Sequence, residues 1–275
     1  MSAITGLTPT LVQGVNSTQA QISEVQTELA TGVKSMNPAQ KGIVTRLSSQ
    51  VAIYSADSTN ITQASSVINV GQTSLSTLSA VISQMQQLAT QAASGGLSTT
   101  DLASLNTTFT ALASQISAAI QNATVNGNNF LYNSPTGTYG STTNGSVTVQ
   151  IGLDTTGTAS IVGQGLDTAL ALLVTGLSIS SQAGANSAIT ALSSGLTSVS
   201  TAQSNLNAFA TAMGADLASV TSLGSNLTAT INSLQAVDQT AAQAELQQLN
   251  NQQSVDYYLV SQMNTEAAAI LTLFR

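Results

Sequence analysis

The sequence predicts a mostly α protein: a long antiparallel helical coiled-coil rod with a small β-hairpin region in the middle of the chain. Two observations carry this. Apolar residues recur at alternating steps of three and four over long stretches on both sides of the middle, which is the seam of a heptad repeat. Between those stretches, residues 130–185 are rich in Gly, Thr, Ser and Asn, and Val147, Val149, Ile151 and Leu153 alternate there with small or polar residues, the period of a strand. A soluble helical bundle with long arms is the alternative to the rod.

The elements follow in order. Residues 11–30 place Val12, Val15, Ile22, Val25 and Leu29 at helical spacing, and Thr31-Gly32 ends that helix. The clean seam of the second helix is Ile61, Ala64, Ile68, Gly71, Leu75, Leu78, Ile82, Met85, Ala89 and Ala92, a helix of ~48 Å at 1.5 Å per residue. It continues backwards through Tyr54 and Leu47 to Ile43, with Asp57 and Gln50 falling on the seam, and Ser94-Gly95-Gly96 stops it. Thr100-Asp101 offers a cap for a third helix, seamed by Leu102, Leu105, Phe109, Leu112, Ile116, Ala119 and Ala123. Asn126-Gly127-Asn128-Asn129 is a turn signal. Asn144-Gly145 and Thr156-Gly157 bracket the strand, and residues 159–162 can pair with it as a hairpin. The longest seam is Ile189, Leu192, Leu196, Val199, Gln203, Leu206, Ala210, Met213, Leu217, Val220, Gly224, Leu227, Ile231 and Leu234. Residues 239–273 carry Ala242, Leu246, Leu249, Val260, Met263, Ala267 and Ile270, followed by Phe274, with Gln253 and Asp256 breaking the pattern. Stripes this weak at the two ends suggest burial between chains.

Composition excludes most chemistry. Of 275 residues, 5% are charged and 3% aromatic, and there is no His, Cys or Trp. Thiol, imidazole and zinc–thiolate sites are therefore impossible. The net charge is −7, and residues 47–274 contain no Lys or Arg, so neither phosphate-backbone nor anionic-membrane binding is expected. No apolar run reaches the length of a spanning helix, so no membrane insertion is expected. Met1–Thr10 lacks a basic region followed by an apolar core, and no Sec-type signal is expected. Gly163-Gln164-Gly165 begins a G-x-G that Asp167-Thr168 does not complete, and Asp154 and Asp167 read as solvated loop aspartates. No catalytic residue, metal site or cofactor is expected.

With these elements in this order, the chain resembles the bacterial flagellins, in a short form with little or no outer variable domain. Residues 29–37, LATGVKSMN, are similar to the family's "LSSG" turn after the first helix, and residues 61–72, ITQASSVINVGQ, to "LTQASRNANDGISIAQ". Residues 126–131, NGNNFL, resemble "FNGxxLL", residues 149–152 "IQVG", residues 203–208 "RSNLGA", and the end, ILTLFR, "VLSLLR". The resemblance covers residues 10–131 and 186–275. It implies a structural, non-enzymatic subunit that self-polymerises into the extracellular flagellar filament for swimming, is secreted by the flagellar type III route, and meets an export chaperone at its C-terminal helix and hook-associated and cap proteins. It divides the chain into 1–42 and 237–275 (inner core), 43–131 and 186–236 (outer helical core) and 132–185 (short hairpin region). It assigns Ile22, Val25, Leu29, Val260, Met263, Ala267, Ile270 and Phe274 to inner-core self-assembly. The outer-core seam is Ile68, Leu75, Leu78, Ile82, Met85, Leu206, Leu217, Leu227 and Leu234. Lys34, Lys41 and Arg46, in the connector, would pair with carboxylates of the same or a neighbouring subunit. Residues 82–91 are similar to the patch read by a Toll-like innate receptor, "LQRVRELAVQ", but Gln84 and Gln86 stand for Arg and Gln87 for Glu. The alternatives are the hook–filament junction protein of the same family, or a type III secreted helical adhesin or translocator.

Overall fold

The computed structural model describes residues 2–132, 147–151 and 157–273; the side chains of residues 2–8, Val147, Ala267 and residues 270–273 lie outside that description, as do Leu153, Asp154, Phe274 and the Asn144-Gly145 turn. Along the chain run α1 (Ser2–Thr31), α2 (Pro38–Ala93), α3 (Thr99–Gln121), β1 (Val147–Gln150), β2 (Thr158–Ile161), α4 (Leu166–Ala169), α5 (Ala171–Thr175), α6 (Gln182–Gln235) and α7 (Gln239–Leu273). They form two compact units: a terminal unit of Met1–Ser49 with Asn226–Arg275, and a larger unit of Gln50–Ser225.

Local side chains set the helix starts. Asn37 caps α2: its Oδ1 accepts the Gln40 N–H at 2.8 Å, and Gln40 Oε1 accepts the Asn37 N–H at 3.1 Å. This reciprocal box, with Pro38 at the first helical position, starts α2 well before the Ile43 that the seam suggests. At α3 the expected cap is corrected. Ser98, not Thr100, is the N-cap, and Asp101 sits at the third helical position. Ser98 Oγ accepts the Asp101 N–H at 3.1 Å, while Asp101 Oδ2 takes hydrogen bonds from the Ser98 hydroxyl at 2.7 Å and its N–H at 3.2 Å. Those two bonds, the hydroxyl's first, hold the Asp101 carboxyl below its ordinary range. Asp238 caps α7 by accepting the Thr240 and Ala241 N–H groups at 3.0 and 3.1 Å.

In the larger unit every position of the 61–92 seam is buried, and α2 contributes Val67 and Val81 beside it. On α3, Phe109, Leu112 and Ile116 are buried with Ala113 and Ile120, while Leu102, Leu105 and Ala119 are half-buried. The seam of α6 is rotated from the expected one. Ala185, Leu192, Val199, Leu206, Met213 and Val220 are buried along one heptad line, but the flank buried with them is Ala188, Gly195 and Ala202, not Ile189, Leu196, Gln203 and Ala210. Gly195 gives the reason: a Cβ there would stand 2.5 Å from Leu173 Cδ1 and 3.2 Å from Leu170 Cδ2. The small-residue flank leaves room for the leucines of the 170–175 turn, which larger side chains would exclude.

The hairpin forms as the alternation predicts: β1 and β2 pair antiparallel with Val147 opposite Ile161 and Val149 opposite Ala159. Val149 and Ile161 are buried in the core of this unit. Asn126-Gly127 makes a two-residue turn, both with positive φ, closed by hydrogen bonds of 2.9 and 3.0 Å between Val125 and Asn128. Gly163-Gln164-Gly165 lies in a loop as read, but helix α4 corrects the loop reading of Asp167. Asp167 lies in the first turn of α4, and Leu166, Leu170 and Leu173 anchor the segment in the core.

Two glycines of α6 test this packing. A Cβ at Gly184 would meet the Ser178 carbonyl oxygen at 2.5 Å, whereas Gly214 has nothing within 4 Å. Gly184→Ala should destabilise the unit by ~1–3 kcal/mol, and Gly214→Ala should stabilise it by up to ~1 kcal/mol. Urea unfolding followed by circular dichroism reads both; equal effects at the two sites would contradict the close approach.

Candidate self-assembly surfaces

The terminal unit is built on α1 against α7, running antiparallel. Ile22 and Val25 are buried with Ala242 and Leu249, and Leu29, Val237 and Leu246 pack partly buried against them. This is a small core: four buried apolar side chains, against thirty-three in the larger unit among the described residues. The structure brings together Ile22, Val25 and Leu29 of the expected inner-core set. It does not bring Val260 and Met263 to them; both are half-buried farther along α7. Ala267 and Ile270 have no described side chain, and Phe274 lies outside the described residues. The partners of Ile22, Val25 and Leu29 are Val237, just before α7, and the earlier apolar positions of α7, Ala242, Leu246 and Leu249.

Gln253 and Asp256, which break the α7 stripe, face polar residues of α1. Asp256 Oδ2 accepts the Thr18 hydroxyl at 3.1 Å, and Gln253 Nε2 donates to Gln19 Oε1. Thr18 is only 3% exposed, and its hydroxyl also lies 3.1 Å from the Gly14 carbonyl oxygen. The break in the apolar pattern is therefore a matched polar layer across the pair.

The root of the pair is tied by backbone. Gly32, with φ 69°, closes α1, its N–H reaching the Glu28 carbonyl at 2.8 Å. Val33 then forms an antiparallel bridge with Ala236, and the Lys34 N–H donates to the Gln235 carbonyl at 2.8 Å. Glu28 Oε1 accepts the Ser35 N–H. Lys34, Lys41 and Arg46 are exposed, and among the described residues none of them meets a carboxylate of its own chain.

Beyond this core α7 keeps an uncovered apolar stripe. Val255, Tyr258 and Leu259 are 57%, 63% and 43% exposed and lie on one side of the helix, with Gln262 donating to the Tyr258 hydroxyl at 3.3 Å. Sequence periodicity does not single them out, because they lie off the seam that faces α1. Tyr257 and Val12 are also exposed.

In the outer-core set, Ile68, Leu75, Leu78, Ile82, Met85 and Leu206 are buried. Leu217 and Leu227 are half-buried, and Leu234 is 41% exposed, so the apolar face of α6 comes out of cover toward its C-terminal end. In the 82–91 stretch, Gln84 and Gln87 are exposed, but Gln86 is half-buried and its amide lies 3.4 Å from Ser193 Oγ on α6. That corrects the reading of Gln86 as a free surface position.

Leu249→Ala should loosen the α1–α7 pair by about 2–5 kcal/mol, because Leu249 is buried in a core too small to repack. Val260→Ala, on the partly open face, should cost no more than ~1 kcal/mol. Amide-exchange protection across residues 15–29 would read the difference; equal losses would mean that the pair is not centred where the structure places it.

Residues 7–136 match the family model described as the bacterial flagellin N-terminal helical region. The crystal structure of Bacillus cereus flagellin is similar to this chain at 25% sequence identity and a TM-score of 0.52, covering 63% of this chain and 94% of that one. Among curated proteins, no sequence matches the chain.

Proposed function

Because the chain belongs to the bacterial flagellin family, whose members are structural filament subunits, we propose that it polymerises with copies of itself into the extracellular filament that drives swimming, after export by the flagellar type III route. The observation that carries this reading is the stripe of Val255, Tyr258 and Leu259, left uncovered on a helix whose other face already holds α1. Exposed apolar stripes of this kind mark association surfaces, and a helical polymer supplies the missing cover by repeating one contact.

The reading extends to the segments. Residues 1–42 and 237–275 serve as the inner core, 43–131 and 186–236 as the outer core, and 132–185 as a short hairpin region in place of outer domains. Val260, Met263, Ala267, Ile270 and Phe274 become assembly residues, buried against other copies. An export chaperone would cover the same stripe of α7 before secretion, and hook-associated and cap proteins would bound the polymer.

Electron microscopy of the purified chain tests the proposal. Long filaments of uniform width are expected, and a chain lacking residues 256–275 should form none. The filaments should persist in ~1 M NaCl, where the screening length falls to ~3 Å, because few charges are available to be screened. A chain that stays monomeric, or a truncated chain that still polymerises, sinks the reading.

Weak or no activation of the Toll-like receptor is also expected. Gln84, Gln86 and Gln87 offer neither the planar donor fork of Arg nor a carboxylate, and Gln86 is turned toward Ser193. Losing such contacts lowers affinity by ~10³-fold for ~4 kcal/mol. A reporter-cell assay that shows nanomolar activation by the purified chain would refute this.

A further inference from the structure

We infer that the polar layer of Thr18, Gln19, Gln253 and Asp256 is a register lock for the terminal helix pair. The apolar residues of α1 and α7 are few and spaced by heptads, and a heptad pattern alone tolerates a slip of one repeat. The backbone bridge at Val33 and Ala236 joins the root of the pair without involving any side chain. That bridge fixes register at the root; along the helices beyond it, once the root opens, register is written in side chains, and the polar layer is the place where a slip is punished.

The sequence around the layer makes the punishment two-sided. In the observed register Asp256 faces Thr18. A slip of one heptad in either direction sets Asp256 against Leu11 or Val25, and Thr18 against Leu249 or Met263. All four are apolar and none can accept the hydroxyl proton or donate to the carboxylate. The same slips set Gln19 against Leu246 or Val260 and Gln253 against Val12 or Gln26. Only one of these eight placements, Gln253 with Gln26, restores a polar partner. A half-buried carboxylate that loses its donor to an apolar neighbour is destabilised, whereas an apolar pair in the same place would be indifferent to the slip. Thr18, at 3% exposure, has the Gly14 carbonyl of its own helix as its substitute acceptor, so the cost of a slip falls on Asp256, set against an apolar side chain.

This inference goes beyond the filament reading and does not depend on it, since the pair belongs to a single chain. The absence of Cys makes the chain suitable for spin labelling. Labels placed by Gln13→Cys and Gln243→Cys sit on exposed positions of the two helices, far apart along the pair. A one-heptad slip moves them by ~10 Å relative to each other, at 1.5 Å per residue. Electron–electron distance measurements on the full-length soluble chain should give one dominant distance. The same labels in Thr18→Val/Asp256→Leu should give a second population displaced by ~10 Å, although the pair is then more apolar and no less helical. Asp256→Asn keeps a hydrogen-bonding partner for Thr18 and should keep the single distance. A single unshifted distance in the double variant, a second population in Asp256→Asn, or no dominant distance in the parent chain would each overturn the lock.

Discussion

The rest of the structure depends on one constraint: its helices must be held together and kept in water with almost no charge. The larger unit contains no Lys or Arg at all, so no ion pair can fasten α2, α3 and α6 to one another. Apolar burial does that work, along seams whose close approaches rely on missing side chains. Gly71 is one such place, where a Cβ would come within 2.9 Å of Leu206 Cδ1. Uncharged amides take the positions where salt bridges would ordinarily stand. Gln72 donates to Asn207 at 2.7 Å, Asn205 to Gln164 at 2.8 Å, and Gln182 to the last carbonyl of α2, Ala93, at 2.9 Å. Asn129 donates to the Ile120 carbonyl at 2.7 Å and so closes the end of α3.

The helix surfaces obey the same constraint. On α6, Thr190 donates to the Asn186 carbonyl, Ser194 to Thr190 and Ser198 to Ser194, each one turn back, and the ladder repeats on α2 through Ser58, Thr62 and Ser66. A hydroxyl satisfied by its own helix needs no partner from another element, yet still offers lone pairs to water. Ser and Thr can thus coat long helices without competing for the seam.

How much of this was legible in the sequence varies with the interaction that decides each element. The α2 seam was readable from Ile61 to Ala92, every position of which is buried, but not in its backward extension, where Ile43 is exposed and Leu47 and Tyr54 are half-buried. The α6 seam was read along the correct heptad but with the wrong flank. Its choice between Leu196 and Gly195, and with it between Ile189 and Ala188 one heptad back, is made by the leucines of the 166–175 segment, whose helical spacing at Leu166, Leu170 and Leu173 lay inside a stretch dominated by Gly and Thr. The capping residue of α3 was misplaced by two positions because Ser98, Thr99 and Thr100 are all competent caps, and only the reach of Asp101 back to Ser98 distinguishes them. In the terminal unit the expected inner-core residues of α1 are at its core, but their partners on α7 are not the ones farthest along the chain. The stripe resumes in sequence after Gln253 and Asp256, whereas full burial ends before that polar layer and Val260 and Met263 beyond it are half-buried.

That layer changes how the two ends of the chain are understood. Measured by apolar pattern alone, Gln253 and Asp256 are defects in a weak amphipathic helix. Set against Thr18 and Gln19, they become the most informative residues on it, since an apolar contact contributes affinity without preference while a matched polar contact contributes preference at some cost in affinity. A chain with only four cationic residues has two other means of selection within its own helices: the shape of its seams and the placement of neutral or singly charged polar layers within them. In the larger unit, shape suffices, because the core is large and its glycines admit only one approach. In the terminal unit the core is too small for shape to decide, and the decision falls to the hydroxyl, the carboxylate and the two amides.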